Sequence, residues 1–190
     1  MPNWCFTTYK IEGDKKEIQD LYQKLNSLSE RKESLIKNDF GKNWLGNVVH
    51  LFGGNWEDIY CRGTFESLEI LADGILQFDT ETAWVEINEV WEFVKKSYPS
   101  IQYFWVAEEC ACEYYATNDT EGKYYPDRFI IEQGDSEREY YVTEQAALDD
   151  VANIIGKPAN DWSQAEALVV EYNKLNEDNT VGMHRISVVE

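Results

Sequence analysis

Phe65-Glu66-Ser67-Leu68-Glu69-Ile70-Leu71-Ala72-Asp73-Gly74-Ile75-Leu76-Gln77-Phe78-Asp79-Thr80-Glu81 reads as a β-hairpin. Asp73-Gly74 is a strong two-residue turn signal, because a type I′ turn needs positive φ at both central positions. The arms run from Ile59 to Ala72 and from Ile75 to Trp84, and they are rich in apolar, β-branched and aromatic residues. A two-residue turn places Glu66 opposite Glu81, with Asp79 one step away on the same face. Like charges facing each other weaken a sheet. Three carboxylates together suit either a solvated outer face, a divalent cation or an acid–base pair.

Working outward, Trp4 to Ile11 is a strand. Asp14 caps the helix after it, with Glu17 as its capping-box partner. Ile18, Leu21, Leu25 and Leu28 recur at helical spacing and form its apolar stripe. A polar loop spans 29–42, and Asn43 caps a short helix ended by Gly53-Gly54. After the hairpin, a helix over 86–98 carries Ile87, Val90, Trp91, Val94 and Tyr98 on one face and stops at Pro99. Ile101 to Glu109 is a strand. The order β-α-(α)-β-β-α-β is the ferredoxin-like split unit. The expected fold is therefore α+β: a ferredoxin-like antiparallel sheet with helices on one face, extended by further strands and C-terminal helices.

Downstream, Cys110 to Thr117 and Lys123 to Gln133 read as strands around the turn 118–122, and Glu139 to Val142 as a short one. Thr143 caps a helix ended by Gly156 and Pro158, Ser163 with Glu166 opens another, and Val181 to Val189 closes the chain as a strand. The polar stretch 134–138 divides a first domain, 1–133, from an extension, 134–190, expected to pack on it.

Net charge is −19, from 36 acidic and 17 basic residues. Residues 1–42 are nearly balanced, whereas 56–94 hold ten acids against Arg62 alone. Such a field repels phosphates and attracts basic partners. Direct nucleic-acid binding is therefore not expected, and a protein partner is. No apolar run of 18 residues suggests a membrane span. The start carries no basic and apolar leader, so a cytoplasmic protein is expected. Four cysteines in 190 residues do not make a disulfide scaffold. Cys110 and Cys112 share a strand face in this reading, but the C-x-C spacing and the isolation of His50 and His184 argue against zinc. No Walker A loop, G-x-G-x-x-G, H-E-x-x-H or G-x-S-x-G occurs, so neither a cofactor nor a metal is expected. Seven tryptophans and twelve tyrosines are many. Trp4, Trp84, Trp91 and Trp105 read as core. Tyr103, Tyr115, Tyr124, Tyr125, Tyr140 and Tyr141 exceed what one sheet face buries, as in protein-binding surfaces.

Several blocks carry a resemblance. Met1-Pro2-Asn3-Trp4-Cys5 opens the chain, and Thr80-Glu81-Thr82-Ala83-Trp84 ends a strand. Trp91, Tyr98-Pro99, Glu108-Glu109, Cys112-Glu113-Tyr114-Tyr115, Thr117-Asn118-Asp119 and Gly122 through Tyr125-Pro126-Asp127-Arg128 come after them. Together these resemble the YubB-like family of phage- and plasmid-borne proteins over about residues 1–132. Thr7 and Val85-Glu86 depart from that pattern. The family has no established activity, so the resemblance implies a ferredoxin-like fold and a mobile-element context. The candidate binding residues are Glu66, Asp79, Glu81, Trp84, Glu108, Glu109, Asn118 and Asp119. The leading reading is a non-enzymatic acidic interaction module, with DNA mimicry as one form. The alternatives are a metal-dependent protein using the strand carboxylates and a structural module forming homo-oligomers.

Overall fold

Strand β1 (Trp4–Glu12) alternates strictly. Cys5, Thr7, Tyr9 and Ile11 are buried, while Phe6 faces out and Thr8 and Lys10 are half-exposed. Such alternation is what a strand with one packed face requires. The computed structural model describes residues 3–134 and 137–189. Met1 and Pro2 of the opening block, and residues 135–136 of the expected polar break, lie outside them.

Helix α1 (Lys15–Ser29) comes next. Its N-cap is Asp14, whose carboxylate accepts the Lys16 N–H at 2.8 Å. The expected capping box is rerouted. The Asp14 N–H donates to Ser100 Oγ at 2.7 Å, and Ser100 Oγ donates to Glu17 Oε2 at 2.7 Å. Glu17 thus ties the start of α1 to the chain before the last strand of the unit instead of reaching Asp14. Ile18, Leu21, Leu25 and Leu28 are buried.

Helix α2 (Leu45–Leu51) has Trp44 at its N-cap with no side-chain cap. Asn43, expected there, instead accepts the Ser29 hydroxyl at 3.0 Å. The fully buried Asn47 organises the loop before it. Its Oδ1 accepts the Ile36 N–H at 3.0 Å, and its Nδ2 lies within bonding distance of Ser34 Oγ, Gly41 O and Lys42 O.

The hairpin is β2 (Gly63–Ala72) and β3 (Ile75–Ala83), turning at Gly74 with φ +84°. Helix α3 (Asn88–Lys95) is shorter than expected, and Asn88 is its first residue. Strand β4 (Gln102–Glu109) completes the unit's sheet. Strands lie in the order β2-β3-β1-β4, every pair antiparallel. Tyr9, Phe78 and Trp91 pack together at ring separations of 4.4–5.5 Å, which seats α3 on the apolar sheet face.

The chain divides into two units, Met1–Tyr114 and Tyr115–Glu190. The sequence places the division at 133/134 instead. Strand β6 (Phe129–Gln133) pairs with β7 (Glu137–Tyr141) and β8 (Val181–Arg185), so it belongs with the C-terminal unit. In this second unit, β5 (Tyr114–Thr117) pairs in parallel with β9 (Ser187–Val188). Ile131, Leu148, Val151, Trp162, Val169 and Val181 form its core with α4 (Glu144–Ile155) and α5 (Trp162–Asn173). Thr143 caps α4 as expected, and Gly156 ends it in the left-handed region. The cap of α5 is Asp161, two residues before the expected Ser163. Lys123 to Arg128 is a loop where a strand was expected, and Ile186 interrupts the final one. These two units make an α+β protein.

Asn47 satisfies four groups of the 34–42 loop at no solvent exposure. Asn47→Ala should lower stability by about 3 kcal/mol, because buried polar partners then go unpaired. For a chain of this length that is a fall of about 6–12 °C in Tm. Thermal melts monitored by circular dichroism check this; a fall under about 2 °C would show that water replaces the amide.

Candidate functional site

The outer face of the first unit's sheet mixes carboxylates with apolar residues, among them Phe6, Phe104 and Val106. Cα register aligns Thr64, Glu81, Phe6 and Glu108 across β2, β3, β1 and β4. The next row is Glu66, Asp79, Thr8 and Val106. Four expected site residues, Glu66, Asp79, Glu81 and Glu108, therefore share one face within two adjacent rows. Their opposition differs from the sequence register. Glu66 faces Asp79, and Glu81 faces Thr64. The cause is two register shifts, between Glu66 and Glu69 and between Ile70 and Ala72. Ser67 sits at the first with φ +55°, as a bulge residue does.

Glu66 is exposed, whereas Asp79, Glu81 and Glu108 are half-buried. Asp79 accepts the Thr8 hydroxyl at 2.8 Å, which offsets part of its repulsion from Glu66. Phe6, at 58% exposure, lies between Glu81 and Glu108 in its row. Sequence reading did not single it out, because a phenylalanine in a strand ordinarily packs inward. The signal was there in phase: Cys5, Thr7 and Tyr9 claim the inner face, so Phe6 must face out. Among the described residues, no group of three or more His, Cys, Asp or Glu could hold a metal ion.

Glu109 points to the opposite face from Glu108, as the alternation requires. It is buried, at 3% exposure. Its carboxylate caps a 3₁₀ turn, Cys110–Cys112, by accepting the Ala111 and Cys112 N–H groups at 3.1 and 2.8 Å. Burial pushes this carboxyl up. Hydrogen bonds from the Cys112 thiol, the two backbone N–H groups and the Asn3 amide outweigh burial and hold it below the usual carboxylate range. Cys110 and Cys112 are exposed and lie on this turn, not on a strand as expected. Asn3 Nδ2 donates to Cys112 Sγ at 3.1 Å. The Glu109 carboxylate raises the Cys112 thiol, and the Asn3 bond only partly offsets it. That thiol is not activated as a nucleophile, which needs a lowered value. Cys5 and Cys61 are buried, and burial pushes each thiol up to about 11.

Trp84 joins the same end of the unit. Its N–H donates to Asn3 O at 2.9 Å, and its backbone takes φ +75°, a costly value for a bulky residue. Thr82 Oγ1 donates to Val85 O at 2.7 Å and holds this corner. Trp84 was expected in the core; it is 50% exposed. Trp91 and Trp105 are core and Trp4 is half-buried. Close by in the unit, Tyr114 OH donates to Glu86 Oε2 at 2.6 Å and Tyr9 OH to Asn88 Oδ1 at 3.3 Å.

Asn118 and Asp119 belong to the second unit. The Asp119 carboxylate accepts the N–H groups of Lys123, Tyr124 and Tyr125 at 2.6–3.0 Å. Arg128 brackets the loop by donating to Asp119 O, Tyr125 O and Asp127 O. Burial pushes the Asp119 carboxyl up, but the three backbone N–H bonds and the Arg128 charge hold it below the usual range. Its acceptors serve the loop. Of the surplus tyrosines, Tyr115 is buried, Tyr141 packs on the second unit's core, and Tyr140 is 41% exposed.

The first unit thus presents an acidic sheet face on an α+β frame, and no described helix is long and apolar enough to cross a membrane. Comparison with protein-family models, with curated proteins and with solved structures finds no match.

Two predictions concern this region. Maleimide labelling of the native chain should modify two thiols rapidly, Cys110 faster than Cys112, and all four only after denaturation. Fast labelling of Cys5 or Cys61 would contradict their burial. For Glu109, the folded carboxyl lies below its unfolded value. Its stabilisation is present above the ordinary carboxylate range and is lost as pH falls through the folded value. Glu109→Gln should therefore lower Tm at pH 7, and the gap to the unaltered chain should close as pH falls well below 4.5. A gap independent of pH would assign the loss to shape rather than charge.

Proposed function

We propose that this chain is a non-enzymatic, acidic protein-interaction module acting in the cytoplasm, and that it docks a basic protein surface on the outer sheet face of its first unit. One observation carries the reading: an exposed phenylalanine, Phe6, flanked by Glu81 and Glu108, beside a row in which Glu66 and Asp79 are directly opposed. Opposed like charges cost a sheet about 0.2–1 kcal/mol per pair. A basic partner would turn that cost into attraction, and an apolar anchor among charges is the usual make-up of a binding hot spot. Carboxylates in rows also suit a DNA mimic, in which they stand where phosphates would.

The proposal includes the fold family and context. Strand order β2-β3-β1-β4 with all neighbours antiparallel supports a ferredoxin-like split βαβ unit. The YubB-like motifs support a mobile-element protein. In space, Asn3, Trp84, Glu109 and Cys112, from those motifs, meet at one end of the sheet.

The test is capture of host proteins on the tagged chain at low and moderate salt. Basic DNA-binding proteins should be retained at low salt and lost as the Debye length shrinks to about 8 Å. The variant Glu66→Gln, Asp79→Asn, Glu81→Gln, Glu108→Gln should retain none of them, with its melt monitored alongside. Phe6→Ala should weaken capture at low salt. Partners held equally by the neutralised variant, or held without regard to salt, would overturn the proposal.

A further inference from the structure

Between α1 and β2 the chain builds an open cleft of about 560 Å³. Its walls are aromatic: Phe40, Trp44, Trp56 and Tyr60. The rings of Phe40 and Trp44 are nearly parallel, 9° apart with centroids at 6.2 Å. Those of Trp44 and Trp56 meet edge to face at 64° and 5.1 Å. Glu57 and Asp58, both exposed, complete the lining with Ile59, Cys61 and Arg62.

The arrangement is held by side-chain amides. Asn38 Oδ1 accepts the N–H groups of Phe40 and Gly41, both at 2.7 Å. Asn47 clamps the same loop from below. Gly46 makes room for the Trp44 indole, since a Cβ there would lie 2.4–2.5 Å from its six-membered ring. Trp44 is only 6% exposed, and its indole Nε1 has no hydrogen-bond partner. Tyr60 and Phe40 remain 50% and 37% exposed at the rim.

Aromatic faces carry negative potential, and the accessible rings of Phe40, Trp56 and Tyr60 along one cleft favour a cation with an apolar shell. Among the described residues, no group of three or more His, Cys, Asp or Glu could hold a metal ion. Glu57 and Asp58 outnumber Arg62 in the lining, so its net charge disfavours an anion. We propose that this cleft binds an organic cation, an alkylated ammonium group held against Trp56, Phe40 and Tyr60 with Glu57 and Asp58 as its counter-charges. This site is separate from the acidic sheet face and stands whether or not that face docks a protein. The cation has two sources, a free quaternary ammonium compound or a methylated lysine side chain, and the same chemistry recognises both.

The test is titration of the full chain, by tryptophan fluorescence and calorimetry, with four probes. These are choline, its uncharged isostere 3,3-dimethylbutan-1-ol, a glycine-flanked trimethyllysine peptide and the same peptide with norleucine. Each cation should bind at least tenfold more tightly than its neutral counterpart, equivalent to about 1.4 kcal/mol. Trp56→Leu should weaken cation binding at least fivefold with the melting temperature unchanged. Should that variant unfold, Phe40→Leu replaces it. A tighter peptide assigns the cation to a protein, and an equal or tighter choline assigns it to a small molecule. Equal binding of charged and neutral probes, failure of both cations to saturate, or unchanged affinity in the folded ring variant overturns the proposal.

Discussion

Strand β1 is bonded on both sides, to β3 and to β4, and its two-residue alternation sorts the first unit. Inward go Cys5, Thr7, Tyr9 and Ile11; outward go Phe6, Thr8 and Lys10. Because a one-residue slip would exchange every side chain between faces, Tyr9 stacking on Phe78 and Trp91 fixes the register far more firmly than any outward residue does. The outer face follows from that choice: Glu81 and Glu108 flank Phe6 because Thr7 and Tyr9 are buried. Where Glu66 and Asp79 oppose each other the pairing costs the sheet some stability, which the Thr8 hydroxyl partly offsets.

What was legible in the sequence was what depends on neighbours in the chain. Asp73-Gly74 gave the hairpin, Asp14 the cap of α1, and the leucine spacing its buried stripe. What escaped depends on through-space competition. The hairpin register assumed an unbroken ladder, but Ser67 in the left-handed region inserts a bulge, so Glu66 meets Asp79 instead of Glu81. A glycine or asparagine would have signalled that conformation, and serine does not. Glu17 left its capping box because Ser100, 83 residues away, offered a better-placed donor. Cys110-Ala111-Cys112 looked like a strand by composition, yet Glu109 bonds two N–H groups there and winds the chain into a turn. At α5, Asp161 precedes Ser163 and accepts the Gln164 N–H at 2.8 Å first. The hairpin carboxylates still share one face because the two register shifts add up to two residues, which restores the phase, although their individual oppositions changed.

The acids of this chain divide by what their oxygens do. Asp14, Glu109, Asp119 and Asp161 accept backbone N–H groups and hold turns or helix starts in place. Their oxygens are used locally, and in Glu109 and Asp119 these bonds hold the carboxyl below its usual range. Glu66 and Asp79 stand opposite one another, with one hydroxyl bond between Thr8 and Asp79 to relieve them. Glu57 and Asp58 stand exposed at an aromatic cleft. Net charge alone does not separate these groups, which is why a solvated acidic surface and a functional one look alike in composition.

Distance dependence separates the two proposed uses of the second kind of acid. A charged face acts over the range of the Debye length, about 10 Å at 0.1 M salt, so its contribution fades as ions accumulate. An aromatic cleft acts at ring contact, within about 6 Å of a centroid, where the cation has shed water and ions cannot intervene. On the two proposed readings, Phe6 would anchor a partner drawn in by acids acting at long range, whereas Phe40, Trp56 and Tyr60 would hold a cation whose approach Glu57 and Asp58 steer. The same excess of carboxylates would then serve encounter in both places, and the aromatic residues would decide what stays bound. The rings, placed by Asn38, Asn47 and the alternation of β1, would be the more specific half of each pairing.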